Sequence, residues 1–345
     1  MNDQRPDAES SLVLPQTLIV TYHFVRSPTK LQRHTILEDE FRYQVEFLMS
    51  RMKPIEPEEI LYALKEKKPL PDGFLLTFDD GLTEHLEFVL PFLQSMGIRG
   101  ISFPNVLHLI RGEVPFVMQL QACMASLSLE DLAKRLIAEI QNQGMEINDF
   151  PKLPQAIKLF DDERTQQIKY FMNFCLTPEM RHAAIAPIFE DVAGSPESFI
   201  RNHLLNESQL RELSTGGMAI GSHTLHHHYL TSLDSEKKFS EINVASNYLA
   251  DITGEKCRFF AYPYGHLDDG CIDTLARVGV EAAFTTWPRI ERFPHPHKIG
   301  RLDTIFLPPL MKRPMPSADE PLIEYNTVDG TSATDPAKRV AQSRA

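Results

Sequence analysis

Leu75-Leu76-Thr77-Phe78-Asp79-Asp80-Gly81 is an apolar run that ends in two adjacent carboxylates and a glycine. Phe74 precedes it and an amphipathic helical pattern follows, so it reads as a buried strand presenting two acids at its C-terminal tip. Open α/β sheets and (β/α) barrels place their ligand sites at such tips. Adjacent strand residues point in different directions, so the two aspartates can hold different jobs, one binding a metal and one acting as a base. A carboxylate at a helix start is also an ordinary N-cap, and the run alone leaves both readings open.

Outward from this run, further segments repeat the alternation of strand and helix. Residues 17–23 form a β-type run ending in Tyr22-His23, and residues 38–52 and 57–67 carry helical spacing. After Gly81 a helical face runs through Leu82, Leu86, Val89, Leu90, Leu93 and Met96, with Pro91 expected to kink or divide it. Gly97 stops that helix, and residues 98–103 read as the next strand. Residues 105–205 break the rhythm with several helix-like pieces, far longer than an ordinary connection of about 2–6 residues. They read as a helical insertion, either lid-like or simply another helical layer. Alternation then resumes, with a capped helix start at Asn206, strands at 218–223, 259–262 and 282–286, and a helix over 234–252. Residues 1–16 read as a flexible leader and 308–345 as a disordered tail.

The 345-residue chain is 42% hydrophobic and 24% charged, ample for a large core. Its formal charge of −12 argues against nucleic acid or an anionic membrane surface as the main partner. The polar, acidic start lacks the features of a secretory signal, and no apolar run is long enough to span a bilayer. Four cysteines without CxxC spacing read as reduced thiols, and the expected location is cytoplasmic.

A second chemical cluster is Gly221-Ser222-His223-Thr224-Leu225-His226-His227-His228. His223 and His227 are four apart just beyond a strand, so a helical turn there would let both imidazoles converge on one ion. Two imidazoles and one carboxylate leave coordination positions free for water and substrate, the composition of a hydrolytic metal site. An exposed histidine-rich loop has the same letters. The two clusters occur in order with a third, Phe260-Ala261-Tyr262-Pro263-Tyr264-Gly265.

With Thr77-Phe78-Asp79-Asp80-Gly81 as first motif, His223-Thr224-Leu225-His226-His227 as second and the Tyr-Pro-Tyr-Gly turn as a partial third, the chain resembles the polysaccharide deacetylase family, that is, the NodB-homology domain or carbohydrate esterase family four. The resemblance spans roughly residues 17–104 and 206–307. It implies an α/β fold, a distorted (β/α) barrel of fewer than eight units, here with the helical insertion. It further implies that Asp80, His223 and His227 bind a divalent metal, that Asp79 is the general base and that the Tyr264 N–H stabilises the oxyanion. Tyr262, Pro263 and Trp287 would line the substrate site. Two departures stand out. The third motif usually carries an arginine that braces the catalytic aspartate, and Ala261 occupies that position, leaving Arg258 or Arg301 to substitute in space. The late Leu-x-His motif that supplies the acid has no clean match, and among His23, His295 and His297, His23 is favoured because it ends a strand.

The expected activity is hydrolysis of an N-acetyl group from an amino sugar, a glycan or a glycan precursor, by attack of a metal-bound water. Zn2+ is the expected ion, with Co2+ or another divalent ion as substitute, and no nucleic-acid partner or membrane span is expected. A C–N hydrolase acting on a non-sugar amide or formyl group, or a glycan-binding module on a decayed scaffold, are the competing readings.

Overall fold

The computed structural model describes residue 12 and residues 14–25, 35–153, 162–288 and 290–310. Nearly all of the expected leader and tail therefore lies outside the described residues. Seven parallel strands form the centre: β1 (Thr17–Tyr22), β2 (Gly73–Asp80), β3 (Ile101–Pro104), β4 (Ala219–Ile220), β5 (Phe259–Ala261), β6 (Ala282–Phe284) and β7 (Leu302–Asp303). β4, β3, β2, β1 and β7 are hydrogen-bonded in that order, and β5 pairs with β6. Parallel bridges Ser222–Phe260 and Phe284–Ile299 join the two groups, so the strands run round a closed, irregular barrel. The seventh strand, only two residues long, has no counterpart in the strands read from the sequence.

Strand alternation sorts the barrel's two faces. Phe74, Leu76 and Phe78 pack outward with Leu18, Val20 and Tyr22 against the surrounding helices. Leu75 faces inward with Ile19, Ile101, Phe103, Phe259, Ala261, Phe284 and Ile299. The interior is thus an apolar floor beneath the strand tips. The helices are α1 (Glu38–Met49), α2 (Pro57–Lys65), α3 (Leu90–Met96), α4 (Leu107–Arg111), α5 (Phe116–Ser126), α6 (Leu129–Asn142), α7 (Glu163–Tyr170), α8 (Pro178–Ala193), α9 (Pro196–His203), α10 (Glu207–Thr215), α11 (Ser235–Thr253) and α12 (Asp269–Val278). Among the described residues none is long and apolar enough to cross a membrane.

Helices α4 to α9 all fall between β3 and β4. Phe116, Leu120, Cys123, Leu136, Ile168, Ile185, Phe189 and Phe199 give them a core of their own, to which Phe24 and Leu82 contribute from the barrel side. Two wide π-turns interrupt the helical layers, His85–Val89 before α3 and Phe171–Cys175 after α7. Pro91 sits in the first turn of α3, where its missing N–H costs nothing, and the wide turn lies immediately before it. Asn206 caps α10 and exchanges hydrogen bonds with Gln209, while Asp268 caps α12 and pairs with Lys238.

Gly81 ends β2 at φ 73°, and a Cβ there would lie 2.7 Å from Pro104 Cβ and 3.1 Å from its Cα. The close approach of β3 is what requires glycine after the two aspartates. Gly81→Ala should therefore lower stability by about 1–3 kcal/mol, read as a fall in the midpoint of urea unfolding with unchanged slope.

Candidate active site

Asp79 is the last residue of β2 that keeps the inward alternation begun at Leu75 and Thr77. It is 1% exposed. Arg301, one residue before β7 and fully buried, meets it with a two-pronged contact, Nη1 to Oδ1 at 2.7 Å and Nη2 to Oδ2 at 2.8 Å. The guanidinium also donates from Nη1 to Thr77 Oγ1 (3.1 Å) and from Nε to the Thr285 carbonyl (3.0 Å). Burial alone would raise the Asp79 carboxyl, but the charge and hydrogen bonds of Arg301 outweigh it and hold the group well below the usual carboxylate range. The brace absent at Ala261 thus comes from Arg301. Arg258 is occupied elsewhere, pairing with Glu281 at 2.8 Å.

Asp80 breaks the alternation. Its backbone is left-handed (φ 76°), so its carboxylate is not carried to the outer face with Phe78. His223 Nε2 lies 3.8 Å and His227 Nε2 3.6 Å from Asp80 Oδ1, and the ligand atoms of the three residues all lie within 4.8 Å of one another. These separations are too long for hydrogen bonds and suit three groups arranged round one ion. His223 Nδ1 donates to the Ala261 carbonyl at 2.8 Å, which leaves Nε2 with its lone pair facing Asp80. Burial drives His227 well below its usual value, toward the neutral form a metal needs. Asp80 Oδ1 is buried with no hydrogen-bond partner among the described residues, and burial raises its carboxyl. A buried carboxylate oxygen without a partner among the described residues, facing the Nε2 atoms of two imidazoles, is a donor set that fits a divalent cation.

The histidine loop does not turn helically, as the four-residue spacing suggested. Left-handed residues at Thr224 (φ 65°) and His227 (φ 59°) bring the rings together instead. Asn105, just past β3, donates to the carbonyls of His223 (3.4 Å) and Thr224 (3.1 Å), and Thr224 Oγ1 accepts the His227 N–H. Among the described residues five non-glycine positions have positive φ, and four of them, Asp80, Thr224, His227 and Tyr264, lie in this site. Such strain collects where the surrounding structure fixes a working geometry. His226, His228 and Glu241 form a second cluster, but each of them already has a hydrogen-bond partner. Glu241 accepts both the N–H and the Nδ1–H of His226, and His228 Nδ1 accepts from Arg181 Nη2.

Of the three histidines considered as the acid, His23 is in the site. Its Nε2 is 3.7 Å from Asp79 Oδ2 and its side chain is 33% exposed. The fully buried His85, in the first π-turn, donates from Nε2 to the His23 carbonyl at 2.9 Å. His297 is bound to the Val280 carbonyl and His295 to the His297 N–H, and neither has a hydrogen bond or ion pair to Asp79 or Asp80. Tyr264 is left-handed and lies edge-on to His227 at 4.8 Å between ring centroids. Tyr262 does not line the site. It is fully buried with Phe260, Leu230 and Leu275, and its hydroxyl donates to the His297 carbonyl. The alternation that puts Phe260 in this cluster continues to Tyr262. Pro263 is buried in the turn that follows, and Trp287 packs half-buried against the same cluster as Tyr262.

Removing Arg301 should leave Asp79 buried and unpaired. Arg301→Met is expected to cost about 3–5 kcal/mol at neutral pH. In the intact protein the depressed Asp79 adds stability that is present above the ordinary carboxylate value, about 3.9, and fades as pH falls below it. In the variant burial raises the same group, so stability falls as pH rises. The gap between the two proteins should therefore widen from pH 3 to pH 7 in denaturant titrations.

Comparison with known proteins bears on this geometry. A family model described as polysaccharide deacetylase matches residues 182–283, which include His223, His227 and the Tyr262–Gly265 turn but not Asp79 or Asp80. The putative polysaccharide deacetylase YxkH of Bacillus subtilis (strain 168) is 25% identical over 92 residues, 27% of this chain and 33% of that protein. The match thus spans about one third of that relative's length. The deacetylase PplD of Streptococcus pyogenes, solved in complex with acetate, superposes with a TM-score of 0.51 at 15% identity, covering 83% of this chain and 91% of that one. IcaB from Ammonifex degensii gives 0.49 at 16% identity, with the same coverage. With its ordered motifs, the chain is similar to the polysaccharide deacetylase, or NodB-homology, family over residues 182–283, and it shares its fold with the solved deacetylase PplD.

Proposed function

We propose that this chain is a metal-dependent hydrolase that removes an acyl group, in the simplest case acetyl, from an N-acylated amino sugar of a glycan or glycan precursor. The observation that carries the reading is the convergence of Asp80, His223 and His227 beside the Arg301-braced Asp79. Asp80, His223 and His227 would hold the ion, with zinc the best match to two imidazoles and a carboxylate. When bound, such an ion lowers the pKa of water and polarises an amide carbonyl.

The chain's own groups have separable roles in this reading. Arg301 fixes both oxygens of Asp79 and keeps the carboxylate ionised, so Asp79 orients the attacking water and accepts its proton. The Tyr264 N–H would donate to the oxygen that gains charge as the tetrahedral centre forms. His23, partly open to solvent beside Asp79, would protonate the leaving amine as the C–N bond breaks. The products are the free amine and a carboxylate. Trp287 offers a half-exposed aromatic surface for the sugar. Replacement of the missing motif arginine by Arg301 favours an active enzyme over a decayed binding module.

Purified protein should bind about one equivalent of zinc or cobalt and release acetate from N-acetylated amino-sugar oligomers. Asp79→Asn should retain the metal and lose turnover, whereas Asp80→Asn should lose the metal. Wild-type turnover in Asp79→Asn, or no divalent-ion binding by the wild type, would overturn the reading. His23→Gln should lower kcat by about 10²–10⁴-fold while zinc binding, measured by chelator competition, stays at the wild-type level.

A further inference from the structure

We propose that Arg181, carried by the helical insertion, is a positioning residue for the histidine loop, so that insertion and barrel together make one site. The proposal rests on the metal reading of Asp80, His223 and His227. Arg181 lies in the first turn of α8, one residue before the segment matched by the family model, and is 6% exposed. Its Nη2 donates to His228 Nδ1 at 2.5 Å, its Nη1 donates to Asn173 Oδ1 at 3.3 Å, and its guanidinium lies over the Phe116 ring at 4.7 Å. Asn173 belongs to the second π-turn and Phe116 to α5, so every partner except His228 is part of the insertion.

Among the described residues no carboxylate hydrogen-bonds or forms an ion pair with this guanidinium, and Glu179 and Glu241 act on it only through space. An arginine buried for stability alone would be expected to have one. Its strongest contact instead crosses to the loop that carries His227. The bond fixes the His228 ring, which stacks on His226 with centroids 5.2 Å apart and an 8° interplanar angle. His226 is held in turn by both oxygens of Glu241 on α11. His227 therefore sits between two anchored neighbours, in a left-handed conformation that a free loop would relax.

A second line of contact runs parallel to the first. Phe174 of the insertion meets Tyr229 at 4.5 Å, Tyr229 stacks flat on Tyr264 at 3.8 Å, and Tyr264 meets the edge of His227. The insertion thus reaches the ligand loop at two adjacent residues, through Arg181 at His228 and through Phe174 at Tyr229.

The test compares wild type, Arg181→Met, Arg181→Lys and Asn173→Ala, using zinc binding by chelator competition and amide hydrogen exchange of the metal-free proteins. Arg181→Met should raise the zinc Kd about tenfold or more. It should also speed exchange at residues 224–229 while leaving β1 to β3 at wild-type rates. Arg181→Lys, which can still donate to His228, should recover part of both effects. Asn173→Ala keeps the arginine but loosens it, and should shift both readouts in the same direction by less, even if the methionine variant does not fold. Wild-type zinc affinity and exchange in Arg181→Met, or exchange accelerated across the whole protein, would overturn the proposal. If the wild type binds no zinc, the metal reading fails, and exchange at residues 224–229 alone decides whether Arg181 holds the loop.

Discussion

The buried ion pair between Arg301 and Asp79 sets the conditions for the rest of the barrel mouth. A guanidinium and a carboxylate at this depth are tolerable only because each satisfies the other. Thr77 and the Thr285 carbonyl take up further guanidinium donors. The pair also ties the tip of β2 to the chain just before β7, across the intervening β1. Once Asp79 is pinned inward, the remaining negative charge at the strand tip is that of Asp80, and the two imidazoles stand around that second carboxylate.

Three layers follow from bottom to top. The floor is apolar, with Ile19, Leu75, Ile101, Phe103 and Phe284. Above it lies the Arg301–Asp79 layer, neutral as a pair. At the mouth the chain abandons regular geometry and Asp80, Thr224, His227 and Tyr264 adopt left-handed backbones. Strain at the mouth is sustainable because the floor is rigid and the loop is held from several sides, by Asn105, Glu241 and Arg181. The insertion's own apolar core keeps Arg181 in place.

Much of this was legible in the chain. The Leu75–Asp80 run, the branched residues at 17–22 and the apolar runs at 218–223 and 259–262 announced strands because their outward faces are buried under helices. The strand after Arg301 was not legible. Its pattern is interrupted by the arginine, whose burial makes sense only beside Asp79, 222 positions earlier. The burial of Tyr262 was not legible, because adjacency to a turn says nothing about which face a residue takes. The four-residue histidine spacing pointed to convergence, but the geometry came from two left-handed residues and not from a helix. Arg181 carried no sequence signal, since its partners lie 8 and 47 positions away. Local rules fail first where function bends them.

The two π-turns give the architecture an unusual sensitivity to length. Each holds one residue more than an α-helical turn, and in each the wide segment presents a group that braces the site, His85 toward the His23 carbonyl and Asn173 toward Arg181. Removing a single residue from either would restore regular helical spacing and take away the wide turn that presents the bracing group. Conservative point changes around these turns can leave His85 and Asn173 in place, whereas a one-codon deletion displaces the group itself. The permitted lengths of the segments at 85–89 and 171–175 are therefore set by the distant barrel mouth and not by the helices in which they lie.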